Sequence, residues 1–239
     1  MPIKNGQGHS DMTVIKEQQL GVILGTHLNI CKAVFAGQLP YLRVYHYLDL
    51  YAGCGLNQEE QCSGSPMLFL AMATLSGLPF RAWFIEKNQT NAEALQQTVL
   101  DYDLHPVQVS VLQGDCSQMA HVALRNISRN VFGMIYADPN GIPDFGLLAD
   151  LSRQYLRLDI LIRLGATFLK RCRRAIPGWE PLTYYMAQIR KKVWLVQSPL
   201  ESDHNQWTFL LGTNYPDYRT MRNIRFYRTD TPEGRDALT

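Results

Sequence analysis

The sequence lacks several signatures that would fix its class at once. There is no G-x-x-x-x-G-K-[ST], so no P-loop is available to cradle a nucleoside triphosphate. There is no C-x-x-C, and the five cysteines, Cys31, Cys54, Cys62, Cys116 and Cys172, are odd in number and widely spaced. That pattern argues against a disulfide framework and a zinc site, and it points to a reducing, cytoplasmic setting. No stretch approaches the ~20 uninterrupted apolar residues of a membrane span, so no membrane association is expected. The polar, glycine-containing Met1–Asp11 segment has no apolar core of the signal-peptide kind. Charged residues are scarce, at 18% against 46% apolar, which suits a chain that buries a substantial core. Internal repeats and low-complexity tracts are absent.

At 239 residues the chain fits one generous domain, or a domain with additions. The net charge of +2 hides an uneven distribution. Lys+Arg against Asp+Glu runs 8 to 13 over residues 1–150, 10 to 2 over 151–192, and 5 to 6 over 193–239. A cationic segment of this kind is either a solvated helix face or a contact surface for phosphates. Lys170, Arg171, Arg173 and Arg174 concentrate the charge, and Arg190, Lys191 and Lys192 follow, with Trp179, Tyr184, Tyr185 and Trp194 interleaved. Cations for phosphates and rings for stacking suit a nucleic-acid surface, although Trp194 in a strand reads as core.

Hydrophobic periodicity organises the rest. Apolar residues from Val14 to Val34 recur at helical spacing, and Gly37 and Pro40 end that helix. Apolar strands are predicted at Val44–Tyr51, Phe80–Ile85, Val107–Leu112, Val131–Ala137 and Leu158–Leu164, with helices between them. Gln58–Ser63 reads as a polar loop, and Gly64-Ser65-Pro66 as a helix start with Ser65 at the N-cap and Pro66 at the first helical position. Val193–Gln197 and Gln206–Gly212 read as an antiparallel pair, with an uncertain last strand at Ile224–Tyr227. Strands alternating with helices and then a hairpin imply a mostly parallel sheet, with helices on both faces and an antiparallel edge. The ends of the first four strands then share one rim.

That rim carries the residues of interest. The first strand stops at Gly53-Cys54-Gly55, where a chain without Cβ atoms can turn sharply and approach a ligand closely. The third glycine of a dinucleotide fingerprint is replaced by Gln58, so a nucleoside cofactor without a pyrophosphate fits better. Glu86 ends the second strand, where a carboxylate can accept from both hydroxyls of a ribose. Asp115 ends the third, where it can receive an adenine amino group.

Asp49-Leu50-Tyr51-Ala52-Gly53-Cys54-Gly55 resembles the first motif of the class I S-adenosylmethionine-dependent methyltransferases. Glu86 falls where that superfamily has its ribose-binding acid, and Gly114-Asp115 where it has its adenine-side acid. The likeness covers roughly residues 44–212. More narrowly, D-L-x-A-G-x-G, Gly64-Ser65-Pro66, Phe84-Ile85-Glu86-Lys87 and Asp138-Pro139-x-Gly141 resemble the three-Cys-motif partner proteins. The resemblance implies a Rossmann-like α/β fold, with a seven-stranded, mostly parallel sheet and an antiparallel C-terminal hairpin. Residues 1–43 would be an arm and a packing helix, 44–213 the methyltransferase domain with a basic helical segment at 167–192, and 214–239 a tail. It implies S-adenosyl-L-methionine as cofactor, held by Asp49, Ala52, Gly53, Gly55, Glu86, Asp115 and Cys116.

Asp138-Pro139-Asn140-Gly141 ends the fourth strand and is the candidate catalytic element. Enzymes of this superfamily that methylate base amino groups carry [D/N/S]-P-P-[Y/F/W] here. Their side-chain oxygen and backbone carbonyl accept from the target NH₂, and the aromatic ring stacks on the base. Asp138 and Pro139 match; Asn140 and Gly141 do not, and Asn140 offers an amide oxygen instead. Stacking would fall to Tyr136 or Phe145, with Lys170, Arg171, Arg173 and Arg174 on the substrate's phosphates. No Pro-Cys follows the fourth strand, which counts against cytosine C5 chemistry. The expected activity is methyl transfer to an amino nitrogen of a nucleic-acid base, DNA first and RNA second. Competing readings are a nucleic-acid-binding or protein-partner subunit that keeps the fold, and a methyltransferase acting on protein or a small molecule.

Overall fold

In the computed structural model, residues 12–57, 62–101, 108–165, 180–198 and 207–238 are described. Among them an eight-stranded sheet is sandwiched between helices. The elements are α1 (Met12–Ala36), β1 (Tyr45–Asp49), β2 (Leu56–Asn57), β3 (Cys62–Ser63), α2 (Ser65–Ser76), β4 (Phe80–Glu86), α3 (Gln89–Asp101), β5 (Gln108–Gln113) and α4 (Cys116–Leu124). They continue with β6 (Phe132–Ala137), α5 (Phe145–Gln154), β7 (Leu158–Gly165), α6 (Leu182–Gln188), β8 (Val193–Gln197), β9 (Trp207–Thr213), α7 (Arg219–Arg222), β10 (Phe226–Arg228) and α8 (Pro232–Asp236). The sheet order is β10-β8-β9-β7-β6-β1-β4-β5. Strands β1, β4, β5, β6 and β7 are mutually parallel, whereas β9 inserts antiparallel between β7 and β8.

β1 is central because its sequence allows it to be. All five of its residues are buried, and its side chains alternate between the two faces. Tyr45 and Tyr47 join the core under α1, α2 and α3. Leu48, with Leu50 just beyond the strand, joins the core under α4, α5 and α6. Burying one such side chain stabilises by roughly 1.5–3 kcal/mol. α1 applies Leu20, Ile23, Leu24, Leu28, Cys31 and Phe35 to the first face, the i, i+3, i+4 stripe expected of a packed helix. By length and composition alone Ile15–Ala36 is also long and apolar enough to cross a membrane, although Lys16, Glu17 and Lys32 interrupt its apolar run.

The sheet has one strand more than expected. Phe226–Arg228 pairs antiparallel with β8 and extends the edge. The stretch read as a polar loop ends in β3, which pairs antiparallel with β2 just ahead of that stretch as a two-stranded ribbon. Ser65 does not cap α2; Gly64 occupies the cap position without a side-chain bond, and the Ser65 hydroxyl turns to Asp49. Two histidines, His27 and His46, are buried. His46 bonds the Val44 carbonyl and stacks on Trp83. His27 bridges Tyr45 and Asp159.

Candidate active site

A cleft of about 650 Å³ lies at the carboxyl ends of β1, β4, β5 and β6. Its floor is the turn after β1. Gly53 and Gly55 sit at φ 67° and 82°, the left-handed region that costs a residue with a Cβ roughly 1–2 kcal/mol. A Cβ on Gly55 would also stand 2.6 Å from the Leu95 Cδ1 of α3. The Gly64 amide donates to the Gly55 carbonyl at 2.8 Å and closes the loop against the start of α2.

Asp49 organises this turn from below. It is fully buried, and its two carboxylate oxygens accept from the Tyr51 amide at 3.1 Å and the Ser65 hydroxyl at 2.6 Å. Burial pushes its carboxyl up to about 7, against those two hydrogen bonds, and the nearby Asp138 and Glu86 carboxylates add to the push. The sequence reading assigned Asp49 to the cofactor. It does not line the cleft, because a side chain at the end of a strand buried on both faces points into protein. Ala52 does line it, with its amide donating to the Ile85 carbonyl.

Glu86 links two loops. Its Oε2 accepts from the Gly53 amide at 2.9 Å and its Oε1 from the Asn88 amide at 2.7 Å. The carboxylate is thereby fixed at the rim beside Asn88 and Asn91. At the end of the neighbouring strand, Asp115 caps α4. It accepts from the Ser117 hydroxyl at 2.8 Å and amide at 3.0 Å, and Lys87 approaches at 3.1 Å. These contacts, the Ser117 bonds foremost, hold its carboxyl down to about 2. The Cys116 thiol meets the Tyr51 hydroxyl at 3.5 Å, and burial pushes that thiol up.

Asp138 stands at the other wall, with Asn140 and Asp144 lining the cleft beside it. Three donors converge on it. Lys16 of α1 donates to Oδ2 at 3.0 Å, the Tyr136 hydroxyl to the same oxygen at 3.1 Å, and Arg163 of β7 to Oδ1 at 3.1 Å. Burial works against its charge, but the ammonium and the guanidinium outweigh burial and hold the carboxyl below its ordinary range. Pro139 is buried behind the turn. The Arg163 Nε is buried without a hydrogen-bond partner.

The aromatic residues assigned to stacking do other work. Tyr136 is fully buried, and only its hydroxyl is used, on Asp138. Phe145 packs in the core beneath α5, its ring 4.8 Å from Tyr185 and within 21° of parallel. Tyr136 nonetheless lines the cleft beside Asp138, whereas Phe145 does not. The candidates Lys170, Arg171, Arg173 and Arg174, together with Trp179, lie outside the described residues. Of the described basic segment, Lys191 is buried, with its ammonium on the Leu156 and Leu158 carbonyls, and burial lowers its pKa to about 8. It is a structural strut, and not a phosphate contact. Sequence reasoning missed Lys16, Arg163, Ser65, Asn88 and Asn91. Only Arg163 left a signal, as a lone cation inside the apolar run Leu158–Gly165.

No protein-family model and no curated protein matches the chain, so the features shared with three-Cys-motif partner proteins stand as a sequence resemblance only. Solved structures do match. Protein LPL1258 from Legionella pneumophila aligns over 84% of this chain and 89% of its own, with 13% identity and a TM-score of 0.55. The N-terminal domain of human METTL16 aligns over 90% of this chain and 74% of its own, with 13% identity and a TM-score of 0.51. The human methyltransferase 10 domain containing protein aligns over 82% and 83%, with 15% identity and a TM-score of 0.49. At such identities the likeness concerns architecture. With β9 inserted antiparallel beside β7 and the glycine turn at the end of the central strand, that architecture is the Rossmann-like fold of the class I S-adenosylmethionine-dependent methyltransferases.

Proposed function

We propose that the chain is an S-adenosylmethionine-dependent methyltransferase that acts on an amino nitrogen of a nucleic-acid base. The cleft residues fit the cofactor. Glu86, oriented by two backbone amides, keeps oxygen lone pairs for a ribose diol, and Asp115 is ionised at the end of the neighbouring strand. The glycine turn lets the backbone come close to a ligand. When bound, the cofactor supplies an electrophilic methyl group on a sulfonium. What the chain must add is position and charge.

The observation that carries the reading is the state of Asp138. An ionised carboxylate offers about four lone-pair sites, and three are taken by Lys16, Tyr136 and Arg163. The site that remains can accept an N–H of the acceptor and so aim the nitrogen lone pair into the cleft. The held-down carboxyl stays an acceptor at neutral pH. Asn140, on the same wall, offers a second acceptor oxygen. Lys16 on Oδ2 also favours a second reading, a methyltransferase-fold subunit that binds without turnover, because the ammonium competes with the acceptor for Asp138.

Calorimetric titration with S-adenosylmethionine and S-adenosylhomocysteine tests the cofactor; the absence of binding removes both readings. Tritiated methyl transfer to DNA, RNA and a protein mixture tests the acceptor. Label on protein alone refutes the nucleic-acid part. Unchanged transfer by Asp138→Ala refutes the role of Asp138. Cofactor binding with salt-dependent nucleic-acid binding but no transfer selects the second reading.

A further inference from the structure

A second cavity, of about 310 Å³, opens at the opposite rim of the sheet. It is formed where β6 and β7 begin, where the chain leaves β9 at Asn214 and Tyr215, and under the C-terminal half of α1. Its walls are largely apolar, with Ile30 and Val34 on one side and Phe132 on the other. Its volume falls at the lower end of the roughly 300–1,000 Å³ of small-molecule sites.

Its polar groups are few and fixed. His27, 3% exposed, bonds the Tyr45 hydroxyl through Nδ1 at 2.8 Å and Asp159 through Nε2 at 3.0 Å. Burial opposes a charge on this ring. The Cys31 sulfur and the Asp159 carboxylate outweigh burial and carry the pKa up to about 10. At the floor His27 and Asp159 therefore satisfy each other. Arg157 is different. Its guanidinium lies over the Phe132 ring, 4.9 Å from the centroid, and among the described residues it forms no ion pair with a carboxylate. The cavity thus carries at its mouth a guanidinium that has no carboxylate partner among the described residues, above an apolar wall.

We propose that this cavity binds a small organic monoanion with an apolar body, of the aromatic or branched aliphatic carboxylate class. The carboxylate of such a ligand would meet the guanidinium of Arg157, whose planar fork matches it in a bidentate fashion. Its body would replace water against Ile30, Val34 and Phe132. The site lies across the sheet from Asp138, so it stands or falls independently of the methyl-transfer reading.

The test is titration of the full chain with benzoate, followed by two-dimensional amide NMR, with benzyl alcohol and benzylamine as the neutral and cationic counterparts. The expected result is saturable shifts around His27, Val34 and Arg157, with benzoate binding at least about tenfold tighter than either counterpart. Arg157→Gln, an exposed position, should weaken benzoate about tenfold. Val34→Trp, which fills the cavity, should abolish binding while S-adenosylhomocysteine still shifts the Gly53–Gly55 turn. Should the filled variant fail to fold, Arg157→Gln decides alone. No saturable shift up to about 10 mM benzoate overturns the proposal. So does equal binding of benzyl alcohol, tighter binding of benzylamine, or unchanged affinity in Arg157→Gln.

Discussion

Replacing Asp49 with asparagine should stabilise the fold, increasingly so as pH rises. The carboxyl is fully buried beneath the glycine turn, and its pKa stands at about 7 against an ordinary 3.8. The cause is burial first, only partly offset by the Ser65 and Tyr51 hydrogen bonds. A folded-state carboxyl that holds its proton more tightly than the unfolded one contributes most below its ordinary value. That contribution is lost as pH rises from 3.8 through about 7. Just over three pH units at about 1.4 kcal/mol each make about 4 kcal/mol. Asparagine has the same shape and no charge to desolvate. Its Oδ1 can accept the Tyr51 amide and its Nδ2 can donate to the Ser65 hydroxyl, so the loss disappears.

The wild-type profile alone hides this effect, because His46 is linked in the opposite sense. Burial lowers its pKa from 6.5 to about 4. The stability it contributes is present above 6.5 and lost as pH falls toward 4, which nearly cancels Asp49 over the shared range. His27, raised from 6.5 to about 10, contributes below 6.5 and loses that contribution above it. The informative quantity is therefore the difference between Asp49→Asn and wild type, from urea unfolding at about pH 4, 6 and 8. It should grow by about 4 kcal/mol in favour of the variant across that range. A difference flat to within about 1 kcal/mol would refute the buried, proton-holding carboxyl.

Three further outcomes are expected. Asp138→Ala leaves Lys16 and Arg163 without their carboxylate, and it should lose about 3–5 kcal/mol of stability in urea titrations; the double variant with Lys16→Met should recover part of that loss, and no recovery refutes the coupling. Gly55→Ala combines a φ of 82° with a 2.6 Å contact to Leu95. It should cost at least about 1–2 kcal/mol and weaken cofactor binding by calorimetry, whereas wild-type values in both would show that the turn can relax. Phe145→Ala removes a core ring stacked on Tyr185. It should cost about 3–5 kcal/mol and leave the acceptor KM unchanged, and a selective rise in KM would return Phe145 to the substrate site.

Much of the fold was legible because its information is local. β1, β4, β6 and β7 are apolar runs bounded by glycine or by acidic turns, and strands buried on both faces must read that way. The rim residues Gly53, Gly55, Glu86 and Asp115 were legible for the same reason, since each marks where a run stops. The ribbon of β2 and β3 was not, because two-residue strands have no period to detect. β10 was half legible: Phe226 faces the core, but the chain enters it through Arg225 at φ 66°, a left-handed turn at a non-glycine residue that composition does not announce.

The acceptor side of the cleft shows where such reading ends. The D-P-N-G stretch located Asp138 correctly, but its chemistry is set by residues far away in the chain. Lys16 lies 122 positions before it, on a helix whose sequence explains only its packing, and Arg163 lies 25 positions after it. Neither spacing is a motif. Of the two stacking candidates, Tyr136 lines the cleft and Phe145 turns into the core, because one residue of helix phase decides which way a ring faces. The partner that engages Phe145 is Tyr185, 40 positions on. A motif at a strand end can therefore place a carboxylate in a cleft at the rim of the sheet. Whether that carboxylate is open, protonated or already clamped depends on which cations other elements bring to it. Here they are Lys16 and Arg163, and they hold Asp138 in its charged form.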